Sequence, residues 1–183
     1  MTWSKPILLM LAAFLAVFLE CTWDPIRYLF GAQIDFLPPL MVYAGLRCGL
    51  GTVSALAIWG GLCFDALSSN PLGITVLPLF LAGYIIYLRR GLIMQEQVYA
   101  QFVLGLGASA FVPLASLVML LSGRQAPQIG WGTIWQWLVM SIGGGSITPL
   151  CFSLFESLHR ALTHRPTVQT SFRPDREIKR GRY

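Results

Sequence analysis

The chain has 183 residues, of which 55% are hydrophobic and 11% are charged, and its mean hydropathy is +0.64. Ordinary soluble domains carry about 25% charged residues, so this composition excludes that class and predicts an integral membrane protein. Several apolar segments approach the roughly 20 residues that a helix needs to cross a bilayer, and none alternates in the way typical of a membrane β-barrel. We therefore expect an all-α, polytopic membrane helix bundle.

Apolar runs between charges and turn residues predict about six transmembrane helices. In chain order they are residues 6–22, 35–46, 50–67, 72–88, 98–121 and 133–158. The first follows Lys5 and imitates a secretory signal, but no small-x-small cleavage site comes after it. We expect this segment to remain in place as the first span.

The second segment is unusually short. Only eleven residues lie between Asp35 and Arg47, which at about 1.5 Å per residue covers little more than half a bilayer. Asp35 can cap this helix, and Pro38 and Pro39 are tolerated in its first turn. We expect the helix to begin partway into the membrane or to be a re-entrant piece packed against protein.

The net charge of +5 arises at the end of the chain. From Arg160 onward there are seven basic and two acidic residues, whereas the rest of the chain carries six of each. Basic residues beside a membrane are attracted to anionic lipid. We therefore divide the chain into a membrane helix bundle, 1–158, and a basic cytoplasmic tail, 159–183, with anionic lipid and not nucleic acid as the tail's partner.

The basic residues of the loops predict sidedness. Six spans with a cytoplasmic N-terminus place eleven basic residues inside, with Arg47, Arg89 and Arg90 as topology anchors, and only two outside, as the positive-inside rule requires. Five spans with the N-terminus outside merely exchange Lys5 for Arg27 and give the same count. Charge therefore predicts a cytoplasmic C-terminus and leaves the side of the N-terminus open.

The most informative motif occupies residues 60–73, which read Gly-Gly-Leu-Cys-Phe-Asp-Ala-Leu-Ser-Ser-Asn-Pro-Leu-Gly. Its carboxylate, Asp65, lies two positions before the end of an apolar segment, where a charge costs less than at the bilayer centre. We expect nearby donors to bind it, namely Ser68, Ser69, Asn70 and the N–H groups that open the next helix. A structural tie between two helices is favoured over proton or ligand binding.

The same motif contains residues suited to a turn and to close packing. Asn70 is predicted to cap the following helix, with Pro71 in its first turn and Gly73 allowing close approach. Gly60 and Gly61 put small residues on the helix surface, and in lipid such residues mark helix contacts.

Other small residues lie at positions that predict further helix contacts, within the bundle in preference to a partner. These are Gly45 with Gly49, Gly105 with Gly107, and Gly143 to Gly145. The third segment is the richest in Gly and Ala, and we expect it to be the central helix.

Polar and aromatic residues at the ends of the first and last segments are expected to lie at the membrane interfaces. Glu20 and Glu156 are predicted to be solvated there or to pair with Arg27 and Arg160, respectively. The start of the last segment carries a tryptophan cluster typical of interfacial anchors, Trp131, Trp135 and Trp137.

Residues 45–90 resemble the rod shape-determining protein MreD family. The likeness rests on the Gly-rich span, on Asp65-Ala-Leu-Ser-Ser-Asn-Pro-Leu-Gly73 and on the paired Arg89 and Arg90. It implies a bacterial inner-membrane scaffold of the machinery that elongates the lateral cell wall. It also implies binding to the single-span protein MreC and, through it, to MreB and the wall transglycosylase and transpeptidase. The implied fold is close to that of the substrate-binding membrane subunit of vitamin transporters.

Two other functions are alternatives to the scaffold. An enzyme is disfavoured because His159 and His164 lie at or beyond the end of the last segment and no catalytic or metal-binding motif is present. We therefore predict no catalytic residue, cofactor or metal site. The substrate-binding subunit of an energy-coupling vitamin transporter is the alternative, since Ala12 and Ala16 have the Ala-x-x-x-Ala spacing by which such subunits contact their energising partner.

Overall fold

A computed structural model describes residues 4–22, 34–68, 71–93, 97–122 and 130–163 of the chain. This part of the chain is all-helical. It forms six helices, α1 (Ser4–Thr22), α2 (Leu37–Arg47), α3 (Leu50–Leu67), α4 (Val76–Arg89), α5 (Val98–Ser122) and α6 (Trp131–Thr163). Three of them, α3, α5 and α6, are long and apolar enough to cross a membrane, and α1 and α4 contain shorter apolar stretches.

The helix bounds confirm most of the predicted elements. The third segment was predicted as 50–67 and is observed over those residues, and α5 ends within one residue of its prediction. The fourth is a correction. It was expected to begin at residue 72, but residues 72–75 form a turn and α4 begins at Val76.

The short helix α2 is the centre of the bundle. It contacts all five other helices, and each of its residues from Leu37 to Leu46 is buried except Tyr43, which is half-buried. A helix that is apolar on every face is stable only when it is enclosed. The prediction that α3 is central was wrong. Glycines allow neighbouring helices to pack closely on α3 at two positions, but the opposite face of α3 lies on the outside of the bundle.

Helix α2 begins deep within the bundle. Leu37 packs on Gly60 of α3, where an added Cβ would lie 2.9 Å from the Leu37 Cδ2 atom, and Ile34 packs on Gly143 of α6. At its other end Arg47 pairs with Glu156. Gly143 and Glu156 lie thirteen positions apart on α6, which corresponds to about 20 Å of helix. This helix therefore begins inside the bundle, and its depth in the membrane stays a prediction. We call the end that carries Arg47 and Glu156 the basic end.

Aromatic stacking fixes α2 against α6. The ring of Tyr43 stacks on Phe155 with centroids 4.8 Å apart and meets the edge of Phe152 at 5.0 Å. Offset and edge-to-face aromatic pairs add to the stability that burial gives. They hold α2 at the level where α6 carries Glu156.

Helices α5 and α6 pack antiparallel through small residues. An added Cβ at Gly105 would lie 2.6 Å from the Thr148 Cβ, and one at Gly144 would lie 2.6 Å from the Ser109 Cβ. The two contacts are four residues apart on each helix, the spacing that brings membrane helices into close backbone approach. Thr148 satisfies its own buried hydroxyl by donating to the Gly144 carbonyl at 2.8 Å.

Candidate functional site

Asp65 is a buried carboxylate that binds the start of the next helix. Its side chain is 1% exposed. The Oδ2 atom accepts hydrogen bonds from the backbone N–H of Gly73 at 2.8 Å and of Thr75 at 3.2 Å, while Oδ1 accepts the Thr75 hydroxyl. Both carboxylate oxygens are thus engaged within ten positions of the chain. Because a buried charge is stable only when its oxygens are bound, this network explains how the carboxylate is held inside the bundle.

The turn before α4 directs these donors at Asp65. Thr75 is the N-cap residue of α4, so its N–H belongs to the helix start, where backbone donors lack helical acceptors. Gly73 has φ +94°, a conformation that side chains disfavour, and its N–H is thereby aimed at the carboxylate. A Cβ at Gly73 would meet nothing within 4 Å. Gly73 therefore serves the backbone conformation and not the close packing that was predicted.

Of the remaining turn residues, Pro71 is placed differently from the prediction. Pro71 lies ahead of α4, where its carbonyl accepts the Ile74 N–H at 3.4 Å, and not in the first helical turn. Ser68 ends α3, with its N–H donated to the Phe64 carbonyl at 2.9 Å. Ser69 and Asn70 lie outside the described residues, so the predicted Asn70 cap falls outside them too.

Thr75 is the site residue that sequence reasoning missed. It precedes the apolar run of α4, and threonine is a preferred residue at a helix N-terminus. The helix start was instead placed at residue 72, because Asn70 and Pro71 give a similar signal four residues earlier.

Gly60 and Gly61 join α3 to two different helices. An added Cβ at Gly61 would lie 2.9 Å from the Val76 Cα and 3.0 Å from the Val76 N, so backbone meets backbone at this point. Gly60 instead faces α2 through Leu37. We extend the 60–73 motif to Thr75 and call it the 60–75 motif. Through Gly60, Gly61 and Asp65 this motif fastens α2, α3 and α4 to one another.

The three predicted anchors, Arg47, Arg89 and Arg90, lie together at the basic end. The Nη2 atom of Arg47 binds the Glu156 Oε1 at 2.8 Å, and both side chains are partly exposed. Arg90 donates to the Cys48 carbonyl at 3.3 Å and lies over the Tyr87 ring. Glu156, which was predicted to be solvated or to pair with Arg160, is bound by Arg47 from a helix far away in the sequence, and the Arg160 side chain lies outside the described residues.

Grooves in the described part of the chain include one between α4 and α5 and one between α5 and α6, both on the outside of the bundle. The α4–α5 groove has a volume of about 240 Å³ and is lined only by apolar residues: Ala82, Ile85, Ile86, Val103, Leu104, Gly107, Ala108 and Phe111. The α5–α6 groove, of about 310 Å³, lies at the opposite end from the arginines and includes Pro113, Trp137 and the polar Thr133 and Gln136. Neither groove brings together acid–base groups, and among the described residues no three His, Cys, Asp or Glu side chains form a group that could hold a metal ion.

Most of the predicted small-residue contacts are internal, and a few are not. An added Cβ at Gly45, Gly105 or Gly145 would meet a neighbouring helix within about 3.3 Å. Gly49, Gly51 and Gly107 would meet nothing within 4 Å. These open glycines leave small patches on the outer surface of α3 and α5.

Comparison of the chain with protein families, with curated proteins and with solved structures found no match. The resemblance to the MreD family therefore rests on the residues of the 45–90 segment.

Proposed function

We propose that the protein is a non-catalytic scaffold of the MreD type in the bacterial inner membrane, taking part in elongation of the lateral cell wall. The observation that supports this proposal is that the residues of the 60–75 motif bind and pack against neighbouring helices. The Asp65 oxygens are bound by Gly73 and Thr75, and Gly60 and Gly61 pack on neighbouring helices. The carboxylate of Asp65 and the two glycines are therefore engaged in holding three helices together.

A bundle fixed in this way offers its lateral surfaces to a partner. On α3 a stripe of outward residues, Gly51, Ala55, Ile58 and Leu62, recurs at helical spacing and is exposed or half-buried. The two small residues allow close backbone approach, and the larger two supply apolar contact. We place the single-span, MreC-like partner on this stripe, with MreB and the wall transglycosylase and transpeptidase reached through that partner.

The arginines support an orientation for the scaffold. Arg47, Arg89 and Arg90 occupy the same end of the bundle, the end at which α6 leads into the basic tail. The positive-inside rule then makes the basic end and the C-terminus cytoplasmic. The tail would rest on anionic lipid at that surface.

The test is affinity purification of the tagged full chain from membranes, with two matched variants. Gly51→Leu adds a side chain to the α3 stripe, and Gly107→Leu adds the same side chain to α5. Neither meets protein atoms within 4 Å at the Cβ, so both variants are expected to fold. We expect the wild type and Gly107→Leu to recover an MreC-like protein and Gly51→Leu to lose most of it.

Two results would overturn the proposal. Recovery of ATPase subunits in place of an MreC-like protein would assign the chain to vitamin uptake. Equal recovery of the MreC-like protein by wild type and Gly51→Leu would remove the partner from the α3 stripe.

A further inference from the structure

The α4–α5 groove continues to a charged residue at the basic end. Along α4 its lining residues are Ala82, Ile85 and Ile86, and Arg89 follows Ile85 and Ile86 at four and three positions, which places it on the same helix face. Arg89 is exposed. The groove thus runs from the interior of the apolar zone towards a guanidinium at the surface.

Arg89 is available for an anion. In the described part of the chain its neighbour Arg90 is engaged with Cys48 and Tyr87, and Glu156 at the same end is paired with Arg47. Arg89 takes part in none of these interactions. A guanidinium presents a planar set of donors that matches the oxygens of a phosphate.

The lining of the groove suits an apolar occupant. Every lining residue is apolar, and water does not fill such a space favourably. Gly107 leaves the groove open, since a Cβ there would meet nothing within 4 Å. Helices α4 and α5 contact each other, and the groove between them, of about 240 Å³, is apolar along its whole lining. Such a lining suits an acyl chain.

We propose that the α4–α5 groove and Arg89 form a binding site for one anionic phospholipid, with the acyl chain along Gly107 and the phosphate on Arg89. The charge of Arg89 selects the headgroup, because basic pockets at the cytoplasmic side of a bundle attract anionic lipid. This site is separate from the α3 stripe and does not depend on the scaffold function.

The experiment measures lipid binding to the purified full chain by native mass spectrometry and by the shift in unfolding temperature. The probes are phosphatidylglycerol, phosphatidylcholine with the same acyl chains, and soluble glycerol phosphate. We expect phosphatidylglycerol to bind the wild type in preference to the other two. Arg89→Gln should lower its affinity about fivefold, Gly107→Leu should lower it at least as much, and the matched control Gly51→Leu should leave it unchanged.

Each remaining outcome contradicts the proposal. Equal binding of phosphatidylcholine would show that Arg89 selects no headgroup, and equal stabilisation by glycerol phosphate would show that the acyl chain contributes nothing. Unchanged affinity in Arg89→Gln would show that the phosphate does not bind Arg89. Unchanged affinity in Gly107→Leu would show that the acyl chain does not lie in the groove. Arg89 is exposed and tolerates substitution, so the test stands even if Gly107→Leu folds poorly.

Discussion

Thr75 binds Asp65 twice, donating its backbone N–H to one carboxylate oxygen and its hydroxyl to the other across ten positions of the chain. With the Gly73 N–H on the same carboxylate, the end of α3 is fixed to the start of α4. The contact is buried, so its loss leaves polar groups without water to replace the carboxylate. Substitutions of Asp65 and Thr75 separate the contribution of the carboxylate from that of the hydroxyl.

Asp65→Ala is expected to destabilise the bundle by about 2–4 kcal/mol, because two buried N–H groups and a hydroxyl lose their acceptor. Asp65→Asn should cost about 1 kcal/mol, since its carbonyl can still accept the N–H groups and its amide can donate to the Thr75 oxygen. Thermal unfolding in detergent measures both. Equal stability of Asp65→Ala and wild type would remove the structural role from this carboxylate.

Thr75→Val tests the hydroxyl by itself, because it keeps the shape of the side chain and the backbone N–H. We expect it to cost about 1 kcal/mol. In a double-mutant cycle with Asp65→Ala the two losses should not add, since they remove the same hydrogen bond. Strictly additive losses would show that Thr75 and Asp65 act independently.

Gly61→Ala and Gly51→Ala should change stability in opposite directions. At Gly61 the new methyl would lie 2.9 Å from the Val76 Cα, and backbone cannot move aside without separating α3 from α4, so we expect a loss of about 1–3 kcal/mol. At Gly51 the methyl meets nothing within 4 Å, and alanine favours the helix by up to about 1 kcal/mol. Denaturant or thermal unfolding of the two variants measures both changes in stability. A stabilised Gly61→Ala would contradict the observed contact.

Breaking the ion pair of Arg47 and Glu156 should have a much smaller effect. The two side chains are 35% and 44% exposed, and partly solvated pairs contribute about 0–1 kcal/mol. Glu156→Gln is therefore expected to shift stability by less than about 1 kcal/mol, well below the effect of Asp65→Ala. A larger loss than that of Asp65→Ala would make the basic end, and not the 60–75 motif, the main fastening of the bundle.

Cysteine labelling tests the path of the chain through the membrane. In a variant whose native cysteines are replaced, new cysteines at Gly49 and Gly91 should react with an impermeant maleimide from the same side, and one at Leu72 from the opposite side. All three positions are exposed, and α3 runs away from the basic end while α4 returns to it. Reaction of Gly49→Cys and Gly91→Cys from opposite sides would contradict this arrangement.

The sequence predicts the long elements better than their relationships. Helix α3 is bounded by Gly49 and by the turn after Leu67, and both bounds are visible from composition alone. The start of α4 is not, because Pro71, Leu72 and Ile74 read as helical while the positive φ of Gly73 breaks the run. Local sequence patterns indicate local helix propensity. They do not reveal a turn whose conformation depends on hydrogen bonds to Asp65 of the preceding helix.

The central helix was misassigned for a related reason. The many small residues of α3 predict a central position for that helix. Glycine allows close approach on one face only, whereas α2 is enclosed because it is short and apolar all round. The contact between Arg47 and Glu156 is likewise not visible in the sequence, because the fold brings the two together from 109 positions apart.

Enclosure of α2 sets an order for biogenesis. Its eleven residues are too few to cross the hydrocarbon on their own. Four of the helices that contact it are synthesised after it, and the last of these are α5 and α6. Until they arrive, one side of α2 has no protein neighbour. We expect a chain truncated after Arg90 to insert its first helices and then be degraded, whereas co-expression of the missing C-terminal hairpin should restore its lifetime. The shortest helix is thus the last to gain all of its protein neighbours.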